Sequence, residues 1–319
     1  MGTYLVHRIF FLLVSFIAAL LVIFVLLRLL PGDPANALLP ADASPEQVAA
    51  ARARVGSDLP LARQMAAWFF GVFRGNFGVS FISGVPVAPE VFTRLSVTIP
   101  LTLISFVLSV LIAAVIGFIA AYKNGRWYAV ILTACTQIGI AIPIFWVGIL
   151  FVWIFALRLH ILPSGGWPAG GWKNAGNALR ALLLPTATIV FMMSATLARY
   201  IRAGVLNVLD SCYIRTSRSL GFSLVSSFVY HGIRNAAVPV ISILGIELSS
   251  TLLGAVMVEN IFSLPGLGSM LTKAIAQHDY PSIQGVLLTT TFLVLVIGFI
   301  ADVIQRILDP RLRNPQDGR

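Results

Sequence analysis

Charge is scarce in this sequence. Only 11% of its 319 residues are charged and 58% are hydrophobic, whereas roughly a quarter of residues are charged in a soluble domain. That balance excludes an ordinary soluble domain and makes the chain an integral membrane protein. Cysteine is nearly absent: Cys135 and Cys212 are far apart, and the topology derived below puts both in or near the inner half of the membrane, which argues against a structural disulfide. The four histidines, His7, His160, His231 and His278, have no second ligand at helical spacing and form no HExxH, so no metal site is expected. The three lysines follow Tyr122, Trp172 and Thr272. A phosphate-binding loop of the GxxxxGK[ST] type needs a Gly-Lys pair, so this chain does not hydrolyse ATP by that route. No nucleophile stands with a base, so a membrane enzyme lacks its catalytic constellation. The formal charge of +10 does not require nucleic acid, because basic residues at the ends of apolar spans report topology and anionic headgroups.

What is abundant is long apolar runs. About 20 helical residues cross about 30 Å of hydrocarbon, and six stretches qualify: 9–27, 101–122, 128–157, 182–197, 236–258 and 283–304. The first follows His7 and Arg8 like a signal peptide, but it is long and no small-x-small cleavage site follows it, so it stays as a span. The fourth is short and continues through Arg199 and Arg202, which can snorkel, to about residue 203. With the N-terminus inside, the inner set holds twelve basic residues against four acids, and the outer set ten against seven. The positive-inside rule therefore predicts six spans with both termini in the cytoplasm. The expected divisions are a tip and first span (1–30), an external segment (31–97), a transmembrane core (98–306) and a cytoplasmic tail (307–319).

Leu-Leu-Pro-Gly-Asp-Pro at 29–34 ends the first helix, since proline cannot continue it. Ser44-Pro45-Glu46-Gln47 opens another, with serine as N-cap, proline at the first helical position and Gln47 placed for a capping box. After Pro60, Leu61, Met65, Trp68, Phe69, Val72 and Phe73 recur at helical spacing and predict a short amphipathic helix, either a cap on the bundle or a docking surface. Pro143 and Pro185 lie inside spans and predict bends. Small residues four apart, Ala113, Gly117 and Ala121, and again Gly245 and Ser249, with Ser250 and Gly254 one residue on, predict close helix approach.

Glu247 falls midway along the fifth span. A carboxylate there is expensive and marks either a pathway or a hydrogen-bonded brace between helices. Asp302 has Arg306 four residues on, a helix-face pair.

Between the fourth and fifth spans lies the longest polar interruption rich in arginine, with Arg199, Arg202, Arg215, Arg218 and Arg234 against the single acid Asp210. From Asn207 to Leu220 there is no proline or glycine. Gly221 then stands where a helix C-terminus takes positive φ, and Ser223 is placed to cap the next helix. A separate helix in a cytoplasmic loop presents a rigid knob to a partner.

That loop, Tyr213-Ile-Arg-Thr-Ser-Arg-Ser-Leu-Gly221 followed by His231-Gly-Ile-Arg-Asn235 and Pro239, resembles the loop of permease subunits in binding-protein-dependent ABC importers, above all the dipeptide, oligopeptide and nickel branch. The resemblance extends over nearly the whole chain: LeuProGlyAspPro at 30–34, GlyAsnPheGlyValSer at 75–80, IleProIlePheTrp at 142–146, LeuProSerGly at 162–165, GluAsnIlePhe at 259–262, ProGlyLeuGly at 265–268, AspTyrPro at 279–281 and AspProArg at 309–311. It implies an all-α type-I ABC permease fold with spans at 101–122, 128–157, 182–203, 236–258 and 283–304 after the first, and a coupling loop at 204–235. It also implies that Tyr213, Arg215, Thr216, Ser217, Arg218, Ser219, Leu220, Gly221 and Phe222 contact a cytoplasmic ATPase through a coupling helix.

Implied partners are a second homologous permease, two ATP-binding subunits and an external substrate-binding protein, in a bacterial inner membrane. ATP and magnesium would sit on the partners, with no cofactor or metal on this chain. Close relatives carry dipeptides, longer peptides, glutathione or nickel chelates, and a peptide is the substrate expected. The sequence departs from the family at Ser211-Cys212, where an acid often precedes the tyrosine, at Leu220, where lysine is usual, and at Glu247, where the residue is usually uncharged. Glu247 is therefore the candidate pathway residue. The competing reading is a gradient-driven secondary transporter or channel using Glu247 as its ion or proton site, which would call for inverted repeats; none is visible.

Overall fold

A computed structural model describes residues 2–29, 39 and 43–308, with the side chains of Arg54 and Leu308 excepted. The LeuProGlyAspPro and AspProArg motifs and the tail from 309 onward lie outside the described residues. Among those described, helix is the only extensive secondary structure. The helices are α1 (Gly2–Leu29), α2 (Pro45–Val55), α3 (Leu61–Phe73), α4 (Val87–Tyr122), α5 (Trp127–Ala141), α6 (Ile144–Phe151), α7 (Ala175–Leu209), α8 (Cys212–Ser219), α9 (Leu224–Ser227), α10 (Ile233–Ile261), α11 (Leu267–Ala276) and α12 (Tyr280–Leu308). Among the described residues, five stretches are long and apolar enough to cross a membrane unbroken: α1, α4, the run 171–209 ending in α7, the run 224–261 ending in α10, and α12.

The sixth apolar stretch, read above as one span over 128–157, is two helices. α5 ends at Ala141, and α6 with its π-helical continuation to Arg158 departs at 101°. Pro143 supplies no N–H and forces the preceding residue out of the helical region. Ile142 accordingly sits at φ −83°, ψ 125°. Pro185 and Pro239 behave differently, because α7 and α10 run on through them. The fifth span begins a dozen residues before its apolar run, at the Ser223 cap, and passes through a π-helical turn at Phe228–Gly232 before α10.

The chain forms two compact units; two of the three boundaries fall inside α4 and α12, and the third lies between α10 and α11. The first comprises residues 1–99 and 264–296. The Ser44 capping box forms as expected: Gln47 N–H donates to Ser44 Oγ, and Ser44 N–H donates to the Gln47 side chain. Ile23 and Leu27 of α1 bury against Ala274, Tyr280 and Ile283, with Trp68 of α3 alongside. A tight turn at 79–86 is tied to the start of α12 by Asp279, which is 4% exposed. Its carboxylate accepts from Ser80 Oγ at 2.6 Å, Phe81 N–H at 2.9 Å and Ser282 Oγ at 2.7 Å.

The second unit, residues 100–263 and 297–319, is built around α7, which packs between α5 and α10. Small residues set these distances. A Cβ on Gly117 would lie 2.8 Å from the Ala198 carbonyl oxygen, and one on Gly245 would overlap Ala301. Gly254, read with the same small-residue pattern, faces open space instead. The helices α7 and α10 are antiparallel: Thr251 Oγ lies 3.1 Å from Met193 Sδ, and further along Gly204 abuts the Ala236 carbonyl and Val240.

Candidate functional site

The arginine-rich interruption folds as a short helix held at both ends. α7 closes at Leu209, and Ser211 precedes α8 in an extended conformation (φ −72°, ψ 151°). Eight residues do not hold a helix alone in water, because nucleation costs more than one or two turns return. Tertiary contacts must therefore fix α8, and two buried side chains supply them. Ile214, 1% exposed, clusters with Ala121, Val205, Val208, Phe228 and Ala236, from the adjoining ends of α4, α7 and α10 and the π-helical turn before α10. Ser217 Oγ donates to Ser227 Oγ at 2.9 Å, joining α8 to α9 where both are buried. At the rim, Asn235 Nδ2 donates to the Tyr213 hydroxyl at 3.2 Å.

The stop signal works as its chemistry requires. Gly221 takes φ +93°, open only to a residue without a Cβ penalty. The Ser223 side chain accepts from Ser226 N–H and starts the next helix. The chain turns within three residues.

With Ile214 and Ser217 turned inward, the outer face carries Tyr213, Arg215, Thr216, Arg218, Ser219, Leu220 and Phe222, all exposed, Leu220 at 74%. Of the nine residues expected to make a contact, the structure brings eight to one outer surface with Gly221 at its corner and uses Ser217 as an anchor. Beside them a groove of about 540 Å³ is lined also by Tyr230, His231, Arg234 and Asn235. The sequence reading left these four out of the site, although the His231-Gly-Ile-Arg-Asn235 motif was the signal for them. The surface combines arginine with exposed aromatic and aliphatic groups. It suits a protein groove with acidic and apolar walls better than a small molecule.

Glu247 is not part of this surface. It lies eleven residues along α10 from Ala236, about 16 Å by helical rise, and is half-buried. Its backbone carbonyl accepts from Thr251 Oγ at 2.7 Å. Cys135 and Cys212 are both free and exposed.

Comparison with known proteins adds three findings. Residues 113–314 match the family described as binding-protein-dependent transport system inner membrane component, and residues 1–103 match the N-terminal region of such membrane components. The chain is 37% identical to a protein named as a peptide transport system permease of Brucella abortus (strain 2308), over 91% of this chain and 92% of the relative. It is 31% identical to the glutathione transport system permease protein GsiC of Escherichia coli (strain K12), over 98% and 99%. Among solved structures, an inward-facing MetNI methionine ABC transporter superposes with a TM-score of 0.57 at 17% identity, over 69% of this chain and 96% of that one. An amino acid ABC transporter gives 0.53 at 18% identity, over 69% and 94%. At these identities the likeness is one of fold.

Proposed function

Because this chain belongs to the inner-membrane components of binding-protein-dependent transport systems, a multi-pass permease family, we propose that it is one of two permeases of an ATP-driven peptide importer, and that α8 is the handle a separate ATPase works. Peptide or glutathione is the cargo named for its relatives, and a short peptide is the substrate assigned here. Both termini face the cytoplasm, and a second permease completes the pathway. Two ATP-binding subunits, carrying ATP and magnesium, grip α8, and an external binding protein delivers the peptide.

The observation that carries this reading is the way α8 is fixed. A lever transmits displacement only if it does not bend first. α8 has a buried isoleucine, a buried serine–serine hydrogen bond and a glycine stop, and it keeps its arginines outside. When ATP draws the two ATPase subunits together, a helix so anchored passes the motion into α4, α7 and α10, whose ends meet around Ile214. The spans then open outward to receive the peptide.

The test is Arg218→Glu in the reconstituted complex. Uptake of peptide per ATP hydrolysed is expected to fall at least tenfold while the complex stays folded. Unchanged uptake per ATP, or uptake by the chain alone driven by a proton gradient, refutes the proposal; the second result favours a secondary transporter working through Glu247.

A further inference from the structure

Arg202 of α7 has a guanidinium that is tied at one nitrogen and unsatisfied at another. Its Nη2 donates to Asn124 Oδ1 at 3.1 Å, reaching the loop between α4 and α5. Its Nε is buried and has no hydrogen-bond partner, and a charged donor left so is costly. The residue lines a small cavity, about 40 Å³, together with Gly117 and Ala120 of α4, Thr133 and Gln137 of α5, and Arg199 of α7. This cavity lies beside the close approach of α4 to α7, where a Cβ on Gly117 would meet the Ala198 carbonyl. It is too small for a peptide, and it has room for water or for an oxygen or two of an ionic group whose remainder stays outside.

The surroundings set which group fits. Lys123 and Arg126 flank Asn124 in a turn closed by Arg126 N–H donating to the Lys123 carbonyl at 3.0 Å. With Arg199 and Arg202 they bring four cations to the adjoining ends of three helices, and none of the four makes an ion pair among the described residues. The sequence shows why: from Val91 to Leu209 it holds no Asp or Glu, so α5, α7 and the apolar length of α4 contain nothing to neutralise them. Glu247 stands on α10, and no α10 residue lines the cavity. Trp127, 74% exposed, opens α5 directly after Arg126, and an exposed indole at the end of a span marks the level of the lipid headgroups.

Guanidinium donors match the oxygens of a phosphate. A zwitterionic headgroup would bring an ammonium that finds no acid at this junction, whereas an anionic one brings only the charge the four cations lack. We propose that the junction of α4, α5 and α7 binds the headgroup phosphate of an anionic phospholipid, with Arg199 and the free Nε of Arg202 donating to its oxygens and Lys123 and Arg126 holding its excess charge. Exposed Val130 and Ile131 on α5 offer the acyl chains an apolar surface. The site adjoins the seat of α8: Ala121 and Val205, both in the Ile214 cluster, follow Ala120 by one residue and Arg202 by three. A lipid held here braces α4 against α7 beside the point where the importer reading has force enter, but its binding does not depend on that reading.

The experiment uses the full chain in its native complex, in membranes containing a phosphatidylglycerol or a phosphatidylcholine with the same photoreactive group beside the phosphate, and maps adducts on residues 123–137. Phosphatidylglycerol is expected to give at least tenfold more adduct than phosphatidylcholine. Arg199→Gln combined with Arg202→Gln should lower that adduct at least tenfold, while Arg8→Gln, which removes a cation from α1, leaves it within twofold. Equal yields from the two probes overturn the site and leave its cavity to water. An adduct that the double variant leaves within twofold, or that Arg8→Gln lowers as far, also overturns it, since the attraction would then belong to the charged surface as a whole. Excess inorganic phosphate should not displace the lipid; if it abolishes the adduct, the occupant is free phosphate and the lipid assignment fails. The comparison of the two probes needs no variant and decides the matter if the double variant does not assemble.

Discussion

Ile214→Ala tests whether α8 is rigid because it is docked. The side chain is 1% exposed and packs against five buried residues from neighbouring helices. Truncating a buried isoleucine to alanine costs about 2–5 kcal/mol, the lost transfer energy plus the cavity. The other buried tie seen among the described residues, Ser217 to Ser227, contributes about 0.5–1.5 kcal/mol. Most of the docking energy is therefore in one residue. A loss of about 3 kcal/mol multiplies the undocked population on the order of 100-fold, at a factor of ten per 1.4 kcal/mol. Arg215 and Arg218 are trypsin sites on this helix, and cleavage tracks the open population when reclosing is fast. In membranes with the loop accessible, the variant should be cut at these arginines about 100 times faster than the native chain. Leu220→Ala, at a residue 74% exposed, should leave the rate unchanged. A change of less than threefold for Ile214→Ala would show that α8 is not held by this contact, and the rigid-lever argument would fail.

Two further outcomes follow from the same geometry. Asp279→Ala strips the acceptor from two hydroxyls and a backbone N–H, at about 1–3 kcal/mol for each buried donor left unpaired; thermal unfolding in detergent should shift clearly downward, and an unchanged midpoint would contradict the clamp. At Gly221, φ +93° costs a residue with a Cβ about 1–2 kcal/mol and is closed to proline, whose φ is locked near −65°. Uptake per ATP hydrolysed should therefore fall in the order Gly221, Gly221→Ala, Gly221→Pro, and equal coupling in all three would count against the turn.

How much of this was legible in the sequence depended on the range of the signal. Ser44 with Gln47, and Gly221 with Ser223, are local devices whose partners lie within a few residues, and their caps and turns could be read directly. The apolar runs could be read too, because lipid demands their length. Pro143 was visible as a bend, but its size was not. Whether a proline bends or breaks a helix depends on what receives the freed groups, and α7 and α10 pass through Pro185 and Pro239 intact. The Asp279 clamp joins residues 199 apart, and nothing local announces it. The packing of α5 and α10 on α7, through Gly139, Gly204 and Thr251, is likewise set by contacts distant in sequence. Sequence singled out Glu247 because of its charge and could not supply its neighbours.

The most direct test of the whole account is a photo-crosslinker placed at Leu220, at the exposed tip of the α8 turn, in the native membrane. A covalent adduct with a cytoplasmic ATP-binding subunit is the predicted product. A transport-competent preparation whose residue 220 yields no such adduct would contradict the claim that the motor grips the chain here.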